Sequence, residues 1–317
     1  MKRLILRSLV GLFAIVLVIA VAWTTAPIKV AGVLLKLNNL SAGLTAKSIE
    51  TEAGTIHYLE GGEGETILLI HGIYARKEHW VEMMRHLVSN YHVIAIDLPG
   101  FGNNARLPVG DYALDRQQVH LRSILDALDL AQVHIGANSM GAYVATLLAH
   151  QHPERVASIA FIGSPLGVST PIQSDMDRAL AIGHKPLVVR SEPDFAARHD
   201  WLTPKMPYVP GPILQSWMAD EVSTADHNAQ VWAAVHDQSS VPTVLELAPA
   251  LAMPSLVIWC QPDRIFHVSG ARVLGDALPA STRATPENCG HLPMLDQPTQ
   301  VAEIYVHFLQ SAALTTP

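Results

Sequence analysis

The sequence predicts an α/β fold, with a mostly parallel, doubly wound sheet and an inserted helical cap. Short apolar runs rich in β-branched residues recur along the chain, and helix-length segments separate them. This alternation is typical of parallel sheets, whose ligands bind beyond the carboxyl ends of the strands. The predicted strands are residues 55–60, 66–70, 93–97, 133–137, 156–162, 256–259 and 281–285. The predicted helices between them include residues 79–88, 114–128 and 142–150.

Length and composition narrow the possible functions. The 317 residues can form one large α/β domain with an insertion, or two domains. Hydrophobic residues make up 49% and charged residues 15%, and the mean hydropathy is +0.23, which is apolar for a soluble protein. The net charge of -7 argues against nucleic acid as a partner. Despite 16 His, no H-E-x-x-H or C-x-x-C spacing occurs, so we predict neither a metal site nor a cofactor.

The N-terminus carries a membrane-targeting pattern. Lys2, Arg3 and Arg7 precede an uncharged apolar run over residues 9–23. We favour a retained anchor over residues 1–24, which would hold the rest of the chain on the periplasmic side of the inner membrane. A peptidase site at residues 20–22 is the alternative, and it would release a periplasmic or secreted protein.

The remaining chain divides into a linking segment, a core and a cap. Residues 25–54 have apolar positions at helical spacing with interspersed lysines, so they either lie on the membrane surface or pack as a linker helix. We place the core in residues 55–162 and 249–317. Prolines and aromatic residues interrupt residues 163–248, which are too long for a loop and form the predicted cap. Such a cap would build an apolar pocket over the strand ends. No protein partner is indicated.

A candidate nucleophile lies where a predicted strand turns into a helix. Residues 133–150 read VHIGANSMGAYVATLLAH, with Ser139 at the bend. The small residues Gly136, Ala137 and Gly141 let strand and helix approach closely, and the helix N-terminus favours developing negative charge at the serine. Taken alone, the serine could instead be an N-cap.

Two further polar residues follow strand ends later in the chain. Asp263 comes after residues 256–259, and His291 comes after residues 281–285. A serine hydroxyl needs an imidazole to accept its proton, and a carboxylate to orient that imidazole. The order Ser139, Asp263, His291 therefore predicts a catalytic triad. Asp97 also follows a strand, but it precedes Ser139 and we interpret it as structural.

The loop after residues 66–70 is a candidate oxyanion loop. It reads His71-Gly72-Ile73, and glycine lets the backbone turn an amide toward the site. We predict that the backbone N–H groups of Ile73 and Met140 form the oxyanion hole. His71 is interpreted as a residue that hydrogen-bonds the loop backbone, not as the general base.

The two cysteines follow strands that should be neighbours. An oxidising compartment would permit a disulfide between Cys260 and Cys289. We favour two free, buried thiols over that bond.

With these residues in place, the chain resembles the α/β-hydrolase superfamily over about residues 55–309. More narrowly, it resembles membrane-anchored bacterial lipases of the Moraxella and Psychrobacter type and ABHD-type monoacylglycerol lipases. The motifs that match are His71-Gly72, Asp97-Leu98-Pro99-Gly100-Phe101-Gly102, Asn138-Ser139-Met140-Gly141, Asp263-Arg264, Cys289-Gly290-His291 and, in the cap, Lys185-Pro186-Leu187-Val188-Val189-Arg190. The departures are Ala137, Ala142 and Cys260, where the family usually has glycine.

The motifs and the resemblance together predict a carboxylic ester hydrolase, and more narrowly an acylglycerol lipase with a lipid ester as substrate and the membrane surface as its partner. Two other classes stay open. One is a C–C bond hydrolase or perhydrolase that uses the same triad. The other is a non-catalytic, membrane-tethered protein that binds lipid.

Overall fold

A computed structural model describes residues 8, 11, 17, 18, 20–237, 239 and 241–314 of the chain. An eight-stranded sheet lies at its centre, with the strands in the order β1-β2-β4-β3-β5-β6-β7-β8. The strands are β1 (Thr45–Thr51), β2 (Gly54–Gly61), β3 (Thr66–Ile70), β4 (His92–Ile96), β5 (Val133–Asn138), β6 (Val156–Pro165), β7 (Ser255–Ile258) and β8 (Ser281–Ala284). The mostly parallel α/β sheet predicted from the sequence is confirmed.

The sheet changes from antiparallel to parallel at β4. Strand β2 runs antiparallel to both β1 and β4, and every pairing from β4 to β8 is parallel. In the parallel part, Leu68 of β3 pairs with Ile94 on one side and with Ile135 on the other. The carboxyl ends of these strands therefore share one edge, where loops can bring distant parts of the chain together.

Helices cover both faces of the sheet. The helices that pack on the sheet are α2 (Val81–Leu87), α3 (Leu114–Ala127), α4 (Ser139–Gln151), α10 (Ser269–Ala277), α11 (Pro293–Asp296) and α12 (Pro298–Ala313), whereas α1 (Pro27–Ser41) packs mainly against residues 211–223 of the cap. On one face, Leu121 of α3 and Tyr143 of α4 belong to one buried cluster. On the other face, Met84 of α2 and Tyr305 of α12 belong to a second. Both faces are thus buried, which explains why the parallel strands read as continuous apolar runs.

Strand β1 was not predicted from the sequence, which placed residues 45–51 in the linking segment. Five of its seven residues are exposed, and its one large apolar side chain, Ile49, is half-buried. The strand forms because its backbone pairs with β2 in register from Thr45 opposite Glu60 to Thr51 opposite Gly54. An edge strand with two solvated faces has little of the alternation by which a sequence reveals a strand.

The cap lies between β6 and β7. Its helices are α5 (Asp175–Ala181), α6 (Glu192–Leu202), α7 (Gly211–Ser223), α8 (Ala225–His236) and α9 (Val244–Leu247). A buried bidentate ion pair between Arg198 and Glu221 joins α6 to α7. The Tyr74 hydroxyl, on the loop after β3, donates to the carbonyl oxygen of Asn228 in α8 at 2.5 Å. The cap is therefore attached to the carboxyl edge of the sheet.

The predicted membrane anchor falls mostly on residues outside those described. Among the described residues, no helix combines the length and the apolar character that crossing a membrane requires. Helix α1 follows this region and carries the helical spacing predicted for the linking segment.

Candidate active site

Ser139 lies at a sharp strand-to-helix turn. Strand β5 ends at Asn138, and helix α4 begins at Ser139, whose φ of +53° is in the left-handed region. Non-glycine residues rarely adopt this conformation, and it costs about 1–3 kcal/mol where it is held. A Cβ on Gly141 would lie 2.3 Å from the His71 carbonyl oxygen, so only glycine permits this close approach. The predicted turn is present, with Ser139 6% exposed.

The Asn138 side chain ties this turn to the loop that carries His291. Its Nδ2 donates to the backbone carbonyl oxygen of Ile162 at 2.9 Å and to that of His291 at 3.0 Å. Asn138 is almost fully buried, so both bonds form away from bulk water. The residue before the serine therefore fixes the distance between two loops that are far apart in sequence.

Asp263 and His291 come together as predicted from their places after β7 and β8. The Asp263 Oδ2 atom lies 3.2 Å from His291 Nδ1, and the two residues are 5% and 3% exposed. The other carboxylate oxygen, Oδ1, accepts hydrogen bonds from the backbone N–H groups of Ile265 at 2.8 Å and Phe266 at 3.2 Å. The carboxylate is therefore held in one orientation, with Oδ2 facing the imidazole.

A second serine, Ser164, bridges this pair, and sequence reasoning missed it. Its Oγ lies 2.6 Å from Asp263 Oδ2 and 2.8 Å from His291 Nδ1. Ser164 is fully buried near the end of β6, next to the strand that carries Ser139. The sequence signal that could have found Ser164 is its position. It is a polar residue just after a predicted parallel strand, and that strand is a neighbour of the strand that precedes Ser139.

Cys260 and Cys289 form a disulfide, so the preference for free thiols was wrong. The bond spans 29 positions and joins the loop after β7 to the loop after β8. Cys260 lies three residues before Asp263, and Cys289 lies two residues before His291. The sequence placed the two cysteines after neighbouring strands but could not show that their sulfur atoms meet, because the approach of these loops depends on how β7 pairs with β8.

The candidate oxyanion loop packs directly against the serine turn. A Cβ on Gly72 would lie 2.9 Å from the Ser139 Cβ, so the loop approaches the turn as closely as a glycine allows. His71 Nδ1 contacts the Gly72 carbonyl oxygen at 2.7 Å, and the Leu98 N–H donates to His71 Nε2 at 2.9 Å. Burial lowers the pKa of His71 to about 4. A neutral imidazole thus joins two backbone segments, which agrees with the structural role predicted for His71.

Asp97, the other aspartate that follows a strand, pairs with Lys77 instead of a histidine. Its Oδ2 lies 2.7 Å from the Lys77 Nζ, and its Oδ1 accepts from the Lys77 backbone N–H at 2.8 Å. Burial alone would raise the pKa of Asp97, but the Lys77 ammonium and the other charges and hydrogen bonds around the carboxylate together outweigh burial, so the pKa lies below its usual value. The interpretation of Asp97 as structural agrees with these contacts.

Ser139 and His291 line one narrow cleft of about 40 Å³, together with Ile73. Ser139, Met140 and Ile73 also line an apolar hollow of about 60 Å³ under the cap. A larger cavity of about 590 Å³ lies between helix α1 and the cap. Four residues line both the cleft and this cavity: His79, Arg198, Leu202 and Leu292. Across the described part of the chain, no three His, Cys, Asp or Glu side chains converge as they would around a metal ion.

Known proteins resemble this chain over most of its length. A profile of the α/β hydrolase fold family matches residues 65–184. The crystal structure of a membrane phospholipase A, described as a bacterial virulence factor, has 32% sequence identity and a TM-score of 0.87, and covers 99% of both chains.

Two curated relatives are more distant. Lipase 1 of Psychrobacter immobilis is 29% identical over 272 residues, which is 84% of each chain. Monoacylglycerol lipase abhd6-B of Xenopus laevis is 27% identical over 267 residues, which is 80% of this chain and 78% of the relative. The sheet order, the serine turn and these similarities lead to one conclusion: the chain belongs to the α/β-hydrolase family and is a carboxylic ester hydrolase.

Proposed function

We propose that the protein is an acylglycerol lipase that works through an acyl-enzyme on Ser139, with His291 as general base and Asp263 as the residue that orients it. The observation that carries this proposal is the convergence of the three side chains. Ser139 and His291 line the same cleft, and Asp263 lies 3.2 Å from the far side of the His291 ring. A nucleophile, a base and a group that orients the base are the parts that serine hydrolysis requires.

In the proposed reaction, the Ser139 Oγ attacks the ester carbonyl carbon while His291 Nε2 takes the hydroxyl proton. His291 then gives that proton to the departing alcohol oxygen, and the carbonyl carbon stays bound to Ser139 as an acyl ester. Water next attacks the acyl ester with His291 again as the base, which releases the fatty acid and restores Ser139. Asp263 stabilises the positive charge that His291 carries in each step.

The backbone N–H groups of Ile73 and Met140 are the proposed oxyanion donors. The close packing of Gly72 against Ser139 supports this role, and so does the hollow that Ile73, Met140 and Ser139 line together. Met140 is also the first residue after Ser139 in helix α4, where free N–H groups point out of the helix end. Losing one such donor typically costs about 3 kcal/mol of transition-state stabilisation.

The large cavity supports a lipid substrate. It is lined mostly by apolar side chains, and it lies beside the serine cleft, with which it shares four lining residues. Helix α1 forms one wall, and its Ile28, Val33, Leu37 and Leu40 are each exposed over more than half of their surface. Exposed apolar side chains on a helix beside an apolar cavity are suited to contact with a membrane surface.

The disulfide is relevant to the cellular compartment in which the enzyme domain lies. Structural disulfides persist in oxidising surroundings such as the bacterial periplasm. The bond between Cys260 and Cys289 therefore supports a periplasmic position for the enzyme domain. A retained N-terminal anchor and a cleaved signal peptide are both compatible with that position.

A second candidate substrate is the acyl ester of a glycerophospholipid. The similarity to a membrane phospholipase A favours it, since that relative matches over 99% of both chains. Both candidates use the same proposed chemistry, and they differ in whether glycerol carries a phosphate head group.

The first test is a substrate series on the wild type and on Ser139→Ala. Monoacylglycerols, triacylglycerols and diacyl phosphatidylglycerols of increasing chain length would be presented in mixed micelles, with nitrophenyl esters as a common reference. We expect the wild type to release fatty acid fastest from an acylglycerol. Ser139→Ala should lose on the order of 10⁶ in kcat, because the nucleophile is removed.

The outcomes separate the candidates. Faster release from the phospholipid would favour the second substrate. Turnover of a vinylogous 1,5-diketone with no turnover of esters would indicate a C–C hydrolase, and peracid formation from acetate and peroxide would indicate a perhydrolase. Lipid binding without turnover in either form would indicate a binding protein. Equal ester turnover by Ser139→Ala would contradict the role of Ser139.

A further inference from the structure

We propose that Ser164 is a positioning residue that holds Asp263 and His291 together and fixes which nitrogen of His291 carries the proton. This inference rests on the proposed function, since it concerns the acid and base of that reaction. Its starting point is the geometry of one buried hydroxyl. The Ser164 Oγ lies closer to Asp263 Oδ2, at 2.6 Å, and to His291 Nδ1, at 2.8 Å, than these two atoms lie to each other, at 3.2 Å.

Only one placement of the hydrogen atoms satisfies all the contacts among Ser164, Asp263 and His291. A serine hydroxyl has one proton to donate and lone pairs to accept with, whereas a carboxylate can only accept. The Ser164 hydroxyl therefore donates to Asp263 Oδ2. With its proton used there, it can only accept at His291 Nδ1, so Nδ1 carries a hydrogen.

This arrangement is the one that a general base needs. When Nδ1 of a neutral imidazole carries the hydrogen, Nε2 is left with a free lone pair. In the proposed reaction Nε2 takes the proton of Ser139. Ser164 therefore selects the reactive tautomer of His291, in addition to the selection that Asp263 makes at 3.2 Å.

The backbone on both sides of Ser164 is fixed by the site itself. Gly163 has a φ of +83°, and a Cβ there would lie 2.6 Å from the His291 carbonyl oxygen. On the other side, Pro165 forms a bridge with Ser139, and the Leu166 N–H donates to the Ser139 carbonyl oxygen at 3.2 Å. The segment that carries Ser164 is thus held against the base loop and against the nucleophile turn. The backbone therefore fixes the Cα of Ser164, and the contacts to Asp263 Oδ2 and His291 Nδ1 hold its hydroxyl.

Ser164 acts through other residues. It is fully buried, and it is not among the residues that line the serine cleft or the hollow beside it. It therefore makes no contact with a substrate placed at Ser139. Its removal should slow the proton transfer and leave substrate binding unchanged, which predicts a fall in kcat with a constant KM.

The test compares Ser164→Ala with Ser158→Ala. Ser158 is a matched control on the same strand: it is also fully buried, and its Oγ lies 2.8 Å from the Nδ1 of His134, a histidine outside the site. We expect Ser164→Ala to lower kcat about 10- to 100-fold, which is the size of effect that misplacing a catalytic group by about 1 Å can have. KM should stay within a factor of two, and Ser158→Ala should change neither constant.

A second variant separates hydrogen bonding from packing. Ser164→Cys keeps the side-chain shape and fills at least as much space, but it replaces the hydroxyl with a thiol, which is a weak donor and a weak acceptor. If the hydrogen bonds matter, Ser164→Cys resembles Ser164→Ala. Recovery of wild-type kcat by Ser164→Cys would show that Ser164 only fills space, and would overturn the proposal.

A fluorophosphonate probe gives a readout that needs no ester. The probe reacts with a serine only when a base activates it, so the rate of labelling measures the base directly. We expect Ser164→Ala to label Ser139 about 10- to 100-fold more slowly than the wild type, with the folded fraction measured by circular dichroism. Equal labelling rates would overturn the role of Ser164 alone. A wild type that is never labelled and never turns over esters would overturn the proposed function as well.

Discussion

The turn at Ser139 and the pair formed by Asp263 and His291 are built in different ways. The turn consists of consecutive residues, in which the strand ends at Asn138 and the helix begins at Ser139. The two residues of the pair lie 28 positions apart, on the loops after β7 and β8. Long-range contacts hold that pair: the Ser164 hydroxyl, the Asn138 amide and the disulfide between Cys260 and Cys289.

The serine turn therefore depends on local sequence, whereas the Asp263–His291 pair depends on the assembled sheet. The turn requires small residues at fixed offsets from Ser139, and a single segment supplies them. The pair requires several strands to end at the same edge in the right order. Damage to the turn should therefore act through steric clashes, and damage to the pair should act through lost cross-links between loops.

The largest effect on stability is expected when the cross-link between the loops is removed. The variant Cys260→Ala/Cys289→Ala opens a loop of 29 positions, for which the chain-entropy treatment gives a loss of about 3.5 kcal/mol in the free energy of unfolding. The value of kcat should also fall, because the loops of Asp263 and His291 are no longer tied. Urea denaturation and ester kinetics measure the two effects.

Chemically reduced wild type is the matched control, since it keeps both sulfur atoms without the bond. It should lose a similar amount of stability. An unchanged urea midpoint in both samples would contradict the view that the disulfide holds this pair of loops.

A smaller effect is expected on the nucleophile side from Gly141→Ala. The added methyl group would lie 2.3 Å from the His71 carbonyl oxygen and 2.9 Å from that of Ile70, so the backbone of the oxyanion loop must shift. Overpacking of this kind costs about 2 kcal/mol. The unfolding temperature and kcat should both fall, because the shifted loop carries Ile73, a proposed oxyanion donor.

Gly110→Ala is the control for this substitution. No atom lies within 4 Å of the position that its added methyl group would occupy, so the change in stability should stay within about 0.5 kcal/mol. If Gly141→Ala behaves like Gly110→Ala, the close approach at the turn does not constrain the site.

The smallest effect is a pH-dependent one, at Asp296 on helix α11. Its Oδ2 accepts a hydrogen bond from the Gly290 N–H at 2.7 Å, directly before His291. Burial raises the pKa of Asp296 to about 6, and the nearby Asp263 adds to this. A carboxyl whose pKa is higher in the folded chain than in the unfolded chain destabilises the fold once it is ionised, so stability falls as the pH rises through about 6.

Asp296→Asn should therefore be more stable than the wild type at pH 8, by on the order of 1 kcal/mol after allowance for partial exposure to solvent. The difference should shrink as the pH is lowered toward 4, where the wild-type side chain is protonated in the folded state. Thermal melts across this range measure it, with Glu303→Gln, an exposed change on α12, as the control. A difference that does not vary with pH would contradict the raised pKa of Asp296.

Much of the fold could be predicted from the sequence because the signals are local. Strand β3 has the limits predicted for it, and the limits of β5 and β7 lie within one residue of the predicted ones. These strands could be predicted because strands buried on both faces are continuous apolar runs. Strand β1 could not be predicted in this way, because its stability comes from pairing with β2 and not from its own side chains. The roles of Ser139, Asp263, His291, Ile73 and Met140 stay predictions for the experiments above.

The sequence by itself determined the alternation of strands and helices, the turn at Ser139, and the placement of Asp263 and His291 after strand ends. These features depend on the side chains of short segments, so they can be read without knowing what those segments touch. The tertiary structure alone decided that Cys260 bonds to Cys289 and that Ser164 lies between Asp263 and His291. Both contacts depend on the order and register of β6, β7 and β8, and hydrogen-bonded pairing between strands distant in sequence leaves no periodic signal in any one of them.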